Sequence, residues 1–237
     1  DGLTFLLSGA VLWFLPALPP QDPEEEQKPT TFLDGLRYLK HTPTLAAVLL
    51  VKPAIGLSNG IVVMLPIFGN GFFPNSAGPQ FIGLLYAVRG LGALIGSMGF
   101  RKLTGDSPRS LRRWIAPGFL LSSAAYMALS FAPGLEWVAV CYLIGSIGTG
   151  VCWVFAGTLG QYQSAREYRG RVFSLEFGLM TLVGSAMSWL AGMLVDVHGW
   201  TPQMVSRMCS MVLIVPALLW WLSLMALKPS ASTPPED

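Results

Sequence analysis

Long apolar runs separated by short polar segments make up the sequence between residues 44 and 227. The runs do not alternate apolar and polar positions, as the strands of a membrane barrel would, so they predict helices. A bilayer core about 30 Å thick is crossed by a helix of roughly 20 apolar residues. Six segments qualify as such spans: 44–68, 79–100, 114–132, 136–162, 172–195 and 204–227. A seventh apolar segment, 2–18, is shorter.

The composition agrees with a membrane protein. The chain has 237 residues, of which 52% are hydrophobic and 12% charged, and its mean hydropathy is +0.54. A soluble domain carries about 25% charged residues. We therefore predict an all-α integral membrane protein with a six-helix transmembrane bundle and a partial preceding transmembrane helix. The net charge of +2 does not indicate a nucleic-acid partner.

Internal symmetry is weak. The six predicted helices divide into two sets of three, and the middle helix of each set is rich in glycine, at 83–96 and at 178–192. Inverted three-helix repeats are common in secondary transporters. We therefore predict two three-helix repeats, with chance similarity as the alternative.

Basic residues are concentrated in alternate loops. One set of loops holds twelve lysines and arginines and consists of 19–43, 101–113, 163–171 and the tail from 228. The other set holds none and consists of 69–78, 133–135 and 196–203, with Arg207 just beyond. Because cytoplasmic loops are enriched in lysine and arginine, we predict that the first set, including the linker and the C-terminus, is cytoplasmic.

The segment before the first full span is polar. Residues 21–31 are rich in proline and glutamate. After them, Phe32, Leu36 and Leu39 share one face of a possible helix. This pattern predicts a short amphipathic helix at the cytoplasmic interface, with a plain loop as the alternative.

Motifs for catalysis or metal binding are absent from the sequence. It has no HExxH, GxSxG or phosphate-binding GKS/T motif, and its three cysteines lie in apolar runs without a CxxC pair. We therefore expect no enzyme activity, metal or cofactor. The run GLGALIG contains Gly90, Gly92 and Gly96, but it follows no predicted strand, as a nucleotide-binding loop would. These glycines instead predict close packing between helices.

Four polar residues within the predicted spans are candidates for substrate binding or coupling: Arg89, Lys52, Asn59 and Glu176. Arg89 lies about ten residues from either end of its span, roughly 15 Å from each surface. An ionisable residue at such a depth is a functional-site hypothesis by default. The alternatives are that Arg89 binds backbone carbonyls or water, and that Lys52 extends to the cytoplasmic interface. Glu176 lies only about one turn into its span and is therefore a poor partner for either cation. We interpret Arg89 and Lys52 as cations without a carboxylate partner in this chain. We therefore predict a partner outside the chain, either a carboxylate or an anionic substrate group.

The loop REYRGRVFSLE, 166–176, contains Arg169 and Arg171 directly before an apolar span. We predict that these arginines form ion pairs between helices on the cytoplasmic face. The alternative is that they only set the orientation of the helix in the membrane.

Four stretches occur in a familiar order: DGLTFLLSG, GLRYLKHTPTLAAVLL, RGLGALIG and RGRVFS. Together they resemble the C-terminal half of a bacterial major facilitator superfamily transporter, in the drug and siderophore efflux branch. The resemblance implies that 1–18 is the remnant of the sixth helix and 19–43 the central cytoplasmic linker. It implies that 44–227 forms helices seven to twelve and 228–237 a cytoplasmic tail, in the bacterial inner membrane.

The resemblance also implies a function. It predicts half of a secondary active transporter, a proton-coupled exporter of small amphiphilic molecules that works by alternating access. The partners are the missing N-terminal half, the lipid bilayer and the small-molecule substrate. An uptake permease of the same fold and a non-transporting membrane scaffold or sensor are the alternatives. Since the chain begins with Asp1, we expect it to be part of something longer.

Two departures from the family pattern concern the cytoplasmic gate. The family has an acidic residue where this chain has Thr104, and Asp106 follows two places later. Asp106 is therefore the gate candidate together with Arg169 and Arg171. The loop 163–171 also lacks the proline that the family carries there.

Overall fold

The computed structural model describes residues 2–14, 31–72, 78–105 and 107–226. The predicted linker before residue 31, the gate candidate Asp106 and the predicted tail lie outside these ranges. The chain divides into two compact units, residues 1–30 and 31–237. The first unit contains helix α1, Gly2–Trp13, which is apolar and has no buried residue.

The described residues of the second unit form helices joined by short turns. They are α2 (Phe32–His41), α3 (Pro43–Leu49), α4 (Val51–Gly56), α5 (Asn59–Phe72), α6 (Gly78–Leu94), α7 (Phe100–Thr104), α8 (Pro108–Leu129), α9 (Leu135–Gln163), α10 (Arg169–Asp196) and α11 (Pro202–Ala226). A single π-helical turn, Ile95–Gly99, joins α6 to α7. Helices α3 to α5 form one interrupted segment, and α6, the π turn and α7 form another.

Five helical segments in the described residues are long and apolar enough to cross a membrane: 43–71, 79–104, 135–163, 169–196 and 202–226. They coincide with five of the six predicted spans. The remaining prediction, 114–132, falls in α8, which begins earlier, at Pro108, and therefore includes Arg109, Arg112 and Arg113. These charges lower its mean hydropathy, although α8 packs extensively against α9 and α11. The predicted all-α membrane fold is confirmed.

Helix α9 lies at the centre of the bundle and contacts α8, α6 and α4. Its Tyr142 is fully buried and donates a hydrogen bond of 2.7 Å to the carbonyl oxygen of Ile61. Ser123 on α8 and Ser210 on α11 each donate a hydrogen bond of 2.8 Å to the other's carbonyl oxygen. Such bonds hold helices together in lipid, where apolar contact alone has little preference for protein over acyl chains.

The first span is interrupted twice, beside Leu50 and at Leu57–Ser58. Pro53 has no backbone N–H and cannot continue the hydrogen-bond ladder. At the second interruption, the Ser58 hydroxyl donates a hydrogen bond of 2.7 Å to the carbonyl oxygen of Ile55. The backbone N–H of Ser58 donates to the same oxygen at 2.9 Å, so this carbonyl stays hydrogen-bonded where the helix is interrupted, as a membrane interior requires.

Helix α2 is present at the predicted place. The backbone N–H and hydroxyl of Thr31 donate hydrogen bonds of 2.8 and 2.6 Å to Asp34 Oδ2, which caps the helix. These bonds lower the pKa of Asp34 below its ordinary value. The predicted apolar face is only partly buried: Leu39 packs beside Leu45, whereas Leu36 remains 45% exposed.

Candidate functional site

A cavity of about 860 Å³ opens between α4, α5, α6, α9 and α10, with one residue from α8. Arg89 and Asn59, two of the predicted site residues, both line it. Its volume falls within the range of small-molecule sites, about 300–1,000 Å³. Three further lining residues, Tyr126, Thr149 and Trp153, were not predicted, because ordinary polar and aromatic residues in apolar helices carry no sequence signal of their orientation.

Arg89 lies on α6 and is partly buried. It is ten residues after Pro79, where the span begins, and therefore about 15 Å along the helix. The ion pairs found among the described residues are Arg37 with Asp34 and Lys52 with Glu176, so no described carboxylate lies within 4 Å of Arg89. The structure thus places a partly buried cation midway along its span, in the lining of the cavity.

The glycines of α6 and of the π-helical turn that follows it differ in their surroundings. A β-carbon at Gly92 would collide with the carbonyl oxygen of Leu143, and one at Gly96 with that of Ile147. Both glycines therefore allow α6 to approach the backbone of α9 closely. A β-carbon at Gly90 would meet no atom within 4 Å, and Gly90 lines the cavity. The expectation that Gly90 packs against a neighbouring helix is therefore corrected.

Asn59 begins α5 at the second interruption of the first span. A β-carbon at Gly184 of α10 would collide with the Asn59 side-chain nitrogen, so this amide lies directly against α10. Asn59 thus lines the cavity at the contact between α5 and α10.

Lys52 and Glu176 form an ion pair outside the cavity lining. Lys52 Nζ lies 2.8 Å from Glu176 Oε2, and the two side chains are 15% and 3% exposed. The ammonium group also lies 5.4 Å from the ring centroid of Trp153 and 5.5 Å from that of Phe173. The interpretation of Lys52 as a cation without an acid is therefore wrong. Lys52 is nine residues beyond Pro43 and Glu176 seven beyond Arg169, which are similar depths of about 14 and 10 Å.

The arginine loop is ordered by backbone contacts. Arg169 donates hydrogen bonds of 3.2 and 3.4 Å to the carbonyl oxygens of Gln161 and Ser164, where α9 ends. A cation at this position satisfies free carbonyls and complements the helix dipole. The Arg171 β-carbon lies against Gly35 of α2. The ion pairs predicted for these arginines stay a prediction.

A bundle of long apolar helices around a cavity with a partly buried cation agrees with a multi-pass membrane transporter. A sequence profile of the Major Facilitator Superfamily matches residues 1–176, and the chain belongs to that superfamily. It is therefore a multi-pass inner-membrane protein of a transporter family rather than a member of an enzyme family. No solved structure matches it.

The curated relatives include several exporters. The chain is 26% identical over 229 residues to Enterobactin exporter EntS from Escherichia coli O1:K1 / APEC, which is 94% of this chain and 52% of the relative. The protein of the same name from Escherichia coli O45:K1 (strain S88 / ExPEC) gives the same figures. That from Escherichia coli O127:H6 (strain E2348/69 / EPEC) is 27% identical over 154 residues, 65% of this chain and 33% of the relative. The chain spans about half the length of the first two relatives.

Proposed function

We propose that this chain is the C-terminal half of a proton-coupled exporter of small amphiphilic molecules. In this proposal α1 belongs to the sixth transmembrane helix, and α3 to α11 form helices seven to twelve. The basic loops and the C-terminal tail face the cytoplasm. The missing N-terminal half completes the transporter.

The cavity is the observation that carries the proposal. Polar groups of Arg89, Asn59 and Tyr126 line it together with the apolar side chains of Ile55 and Met180. A site with a few polar groups on an apolar wall suits a molecule that is itself amphiphilic. In alternating access, one half of the transporter rocks against the other around such a site near the bilayer midplane.

Export and proton coupling are supported more indirectly. The curated relatives are named as exporters, which favours export over uptake for this chain. The pair Lys52–Glu176 supports proton coupling, because acidic residues within membrane spans often belong to proton relays in transporters. The alternative of a membrane scaffold does not account for a cavity of this size lined by a cation.

Transport by the full-length protein in inside-out vesicles tests the proposal. With an acidic lumen, we expect a fluorescent amphiphile to accumulate inside, and a protonophore to abolish this accumulation. Accumulation only in right-side-out vesicles would identify an uptake permease, and no movement in either orientation would identify a scaffold. Arg207→Ala serves as the control variant, because Arg207 lies over Phe131 at 5.2 Å and outside the cavity.

A further inference from the structure

Four of the hydroxyl groups that line the cavity already donate hydrogen bonds to their own helices. Ser58, Ser97, Thr149 and Thr181 each donate to a carbonyl oxygen three or four residues earlier, at 2.7, 3.1, 3.2 and 2.9 Å. A hydroxyl has one proton to donate and two lone pairs to accept with. These four lining positions therefore present acceptors to a ligand, and acceptors attract donors rather than anions.

Arg89 has the opposite character. Of the described residues that line the cavity, Arg89 alone is charged. Its guanidinium carries five donors and no acceptor, and it remains charged in proteins. The open space beside Gly90 lets a ligand reach the surface of α6 next to Arg89. The described lining thus combines one cation that can bind an anion with four hydroxyl oxygens that can accept hydrogen bonds.

We propose that the substrate is an amphiphile with a single anionic group, which Arg89 binds, and with neutral hydrogen-bond donors along an apolar body. This inference rests on the proposed function and specifies its substrate class. A fork of guanidinium donors matches the two oxygens of a carboxylate or a comparable oxyanion. The neutral donors of the substrate then meet the hydroxyl lone pairs, and its apolar body meets residues such as Ile55 and Met180.

Three dansyl probes that share one apolar body test the charge requirement. Dansylglycine is anionic, dansylglycinamide is neutral and dansylethylenediamine presents a cation. Binding is measured by fluorescence titration of the purified full-length protein in nanodiscs. We expect the wild type to bind dansylglycine about tenfold or more tightly than dansylglycinamide, because a hydrogen bond to an ionised group exceeds a neutral one. The amine should bind most weakly.

Variants of Arg89 test whether this residue is responsible. Arg89→Gln should weaken dansylglycine binding about tenfold or more while changing dansylglycinamide binding less than about twofold. Arg89→Lys should retain part of the preference for the anion, because the charge remains while the bidentate fork is lost. Arg207→Gln, the same substitution outside the cavity, should leave all three affinities unchanged.

Other results of these titrations would overturn the inference. Equal wild-type affinity for the three probes, or no binding of dansylglycine, would overturn the inference. An equal loss of both dansylglycine and dansylglycinamide in Arg89→Gln would also overturn it and indicate that Arg89 pairs with a carboxylate of the protein. If Arg89→Gln does not fold, the wild-type selectivity and the Arg89→Lys titration decide. Anion-selective binding without transport would support the inference and count against the proposed function.

Discussion

Lys52 on α4 and Glu176 on α10 form a buried ion pair between residues that are 124 positions apart in sequence. The ammonium of Lys52 also lies over Trp153 of α9, so the pair joins three helices. Glu176 Oε1 is buried and has no hydrogen-bond partner among the described residues. The carboxylate therefore depends on Lys52 for its stabilisation, and the loss of either partner leaves a charge without compensation.

A double-mutant cycle on this pair should show strong coupling. Lys52→Met or Glu176→Gln alone should destabilise the protein by about 3–5 kcal/mol, because each leaves its partner buried and unpaired. The double variant should lose less than the two single variants together, with a coupling energy of about 1–3 kcal/mol. Unfolding monitored by circular dichroism in detergent measures all four proteins.

The exposed pair of Arg37 and Asp34 provides a control for this cycle. Its atoms are 3.7 Å apart and its side chains are 77% and 37% exposed. Water and salt screen such a pair, so the same cycle with Arg37→Met and Asp34→Asn should show no measurable coupling. Additive effects at Lys52 and Glu176 would mean that the buried pair does not form in the membrane protein.

The glycines of α6 and of the π-helical turn after it allow a matched packing experiment. Gly92→Ala and Gly96→Ala should each destabilise the protein by about 1–3 kcal/mol, because the new methyl group collides with the α9 backbone. Gly83→Ala in the same helix meets no atom within 4 Å and should be neutral or stabilising, by up to about 1 kcal/mol. Thermal unfolding of the three variants in detergent gives the comparison. Equal stability of all three would contradict the close approach of α6 to α9.

The apolar runs predicted the long helices well but not their contacts. The predicted span 136–162 corresponds closely to α9, Leu135–Gln163, because the length of an apolar run limits the length of a membrane helix. The pairing of Lys52 with Glu176 could not be predicted, since hydropathy does not show which helices are neighbours. The available signal was that both residues lie within about 14 Å of a span end next to a basic segment. For Arg89, the structure shows a partly buried side chain in the cavity lining, and its predicted role in substrate binding or coupling stays a prediction.

The start of α8 was missed although a local signal was present. Ser107 accepts a hydrogen bond of 3.2 Å from the N–H of Ser110, and Pro108 occupies the first helical position. A serine cap followed by proline is a typical helix start. The three arginines that follow were assigned to a loop, because an apolar-run criterion excludes them from a span. Helix boundaries in charged segments therefore depend on capping residues rather than on hydropathy.

Cysteine labelling tests the predicted sidedness. Ser107 and His198 are both exposed and lie at opposite ends of the predicted spans. A membrane-impermeant maleimide should label Ser107→Cys only from the cytoplasm and His198→Cys only from outside. The native cysteines Cys141, Cys152 and Cys209 are buried, so the unmodified protein should give little background labelling. Reversed accessibility would contradict the orientation derived from the basic loops.

The contact of α2 with the loop before α10 is the basis of the last prediction. The ring of Tyr38 stacks on that of Tyr168 with centroids 4.6 Å apart. The Tyr38 hydroxyl donates to the carbonyl oxygen of Gln163 at 3.3 Å and accepts from the N–H of Ala165 at 3.2 Å. Tyr38 therefore connects α2 to the loop between α9 and α10. Both α9 and α10 line the cavity.

Removing this contact should slow transport. It should not weaken substrate binding, because Tyr38 is not among the residues that line the cavity. Tyr38→Phe loses the two hydrogen bonds, worth about 0.5–1.5 kcal/mol each, and Tyr38→Ala also loses the ring stacking, worth about 0.5–1.5 kcal/mol. The maximal transport rate should therefore fall in the order wild type, Tyr38→Phe, Tyr38→Ala, while the half-saturating substrate concentration stays constant. Leu33→Ala on the same helix, where Leu33 is 63% exposed, should behave as the wild type. A changed half-saturating concentration with an unchanged maximal rate would instead mean that α2 acts on the substrate site, and no change in either would make the contact purely structural.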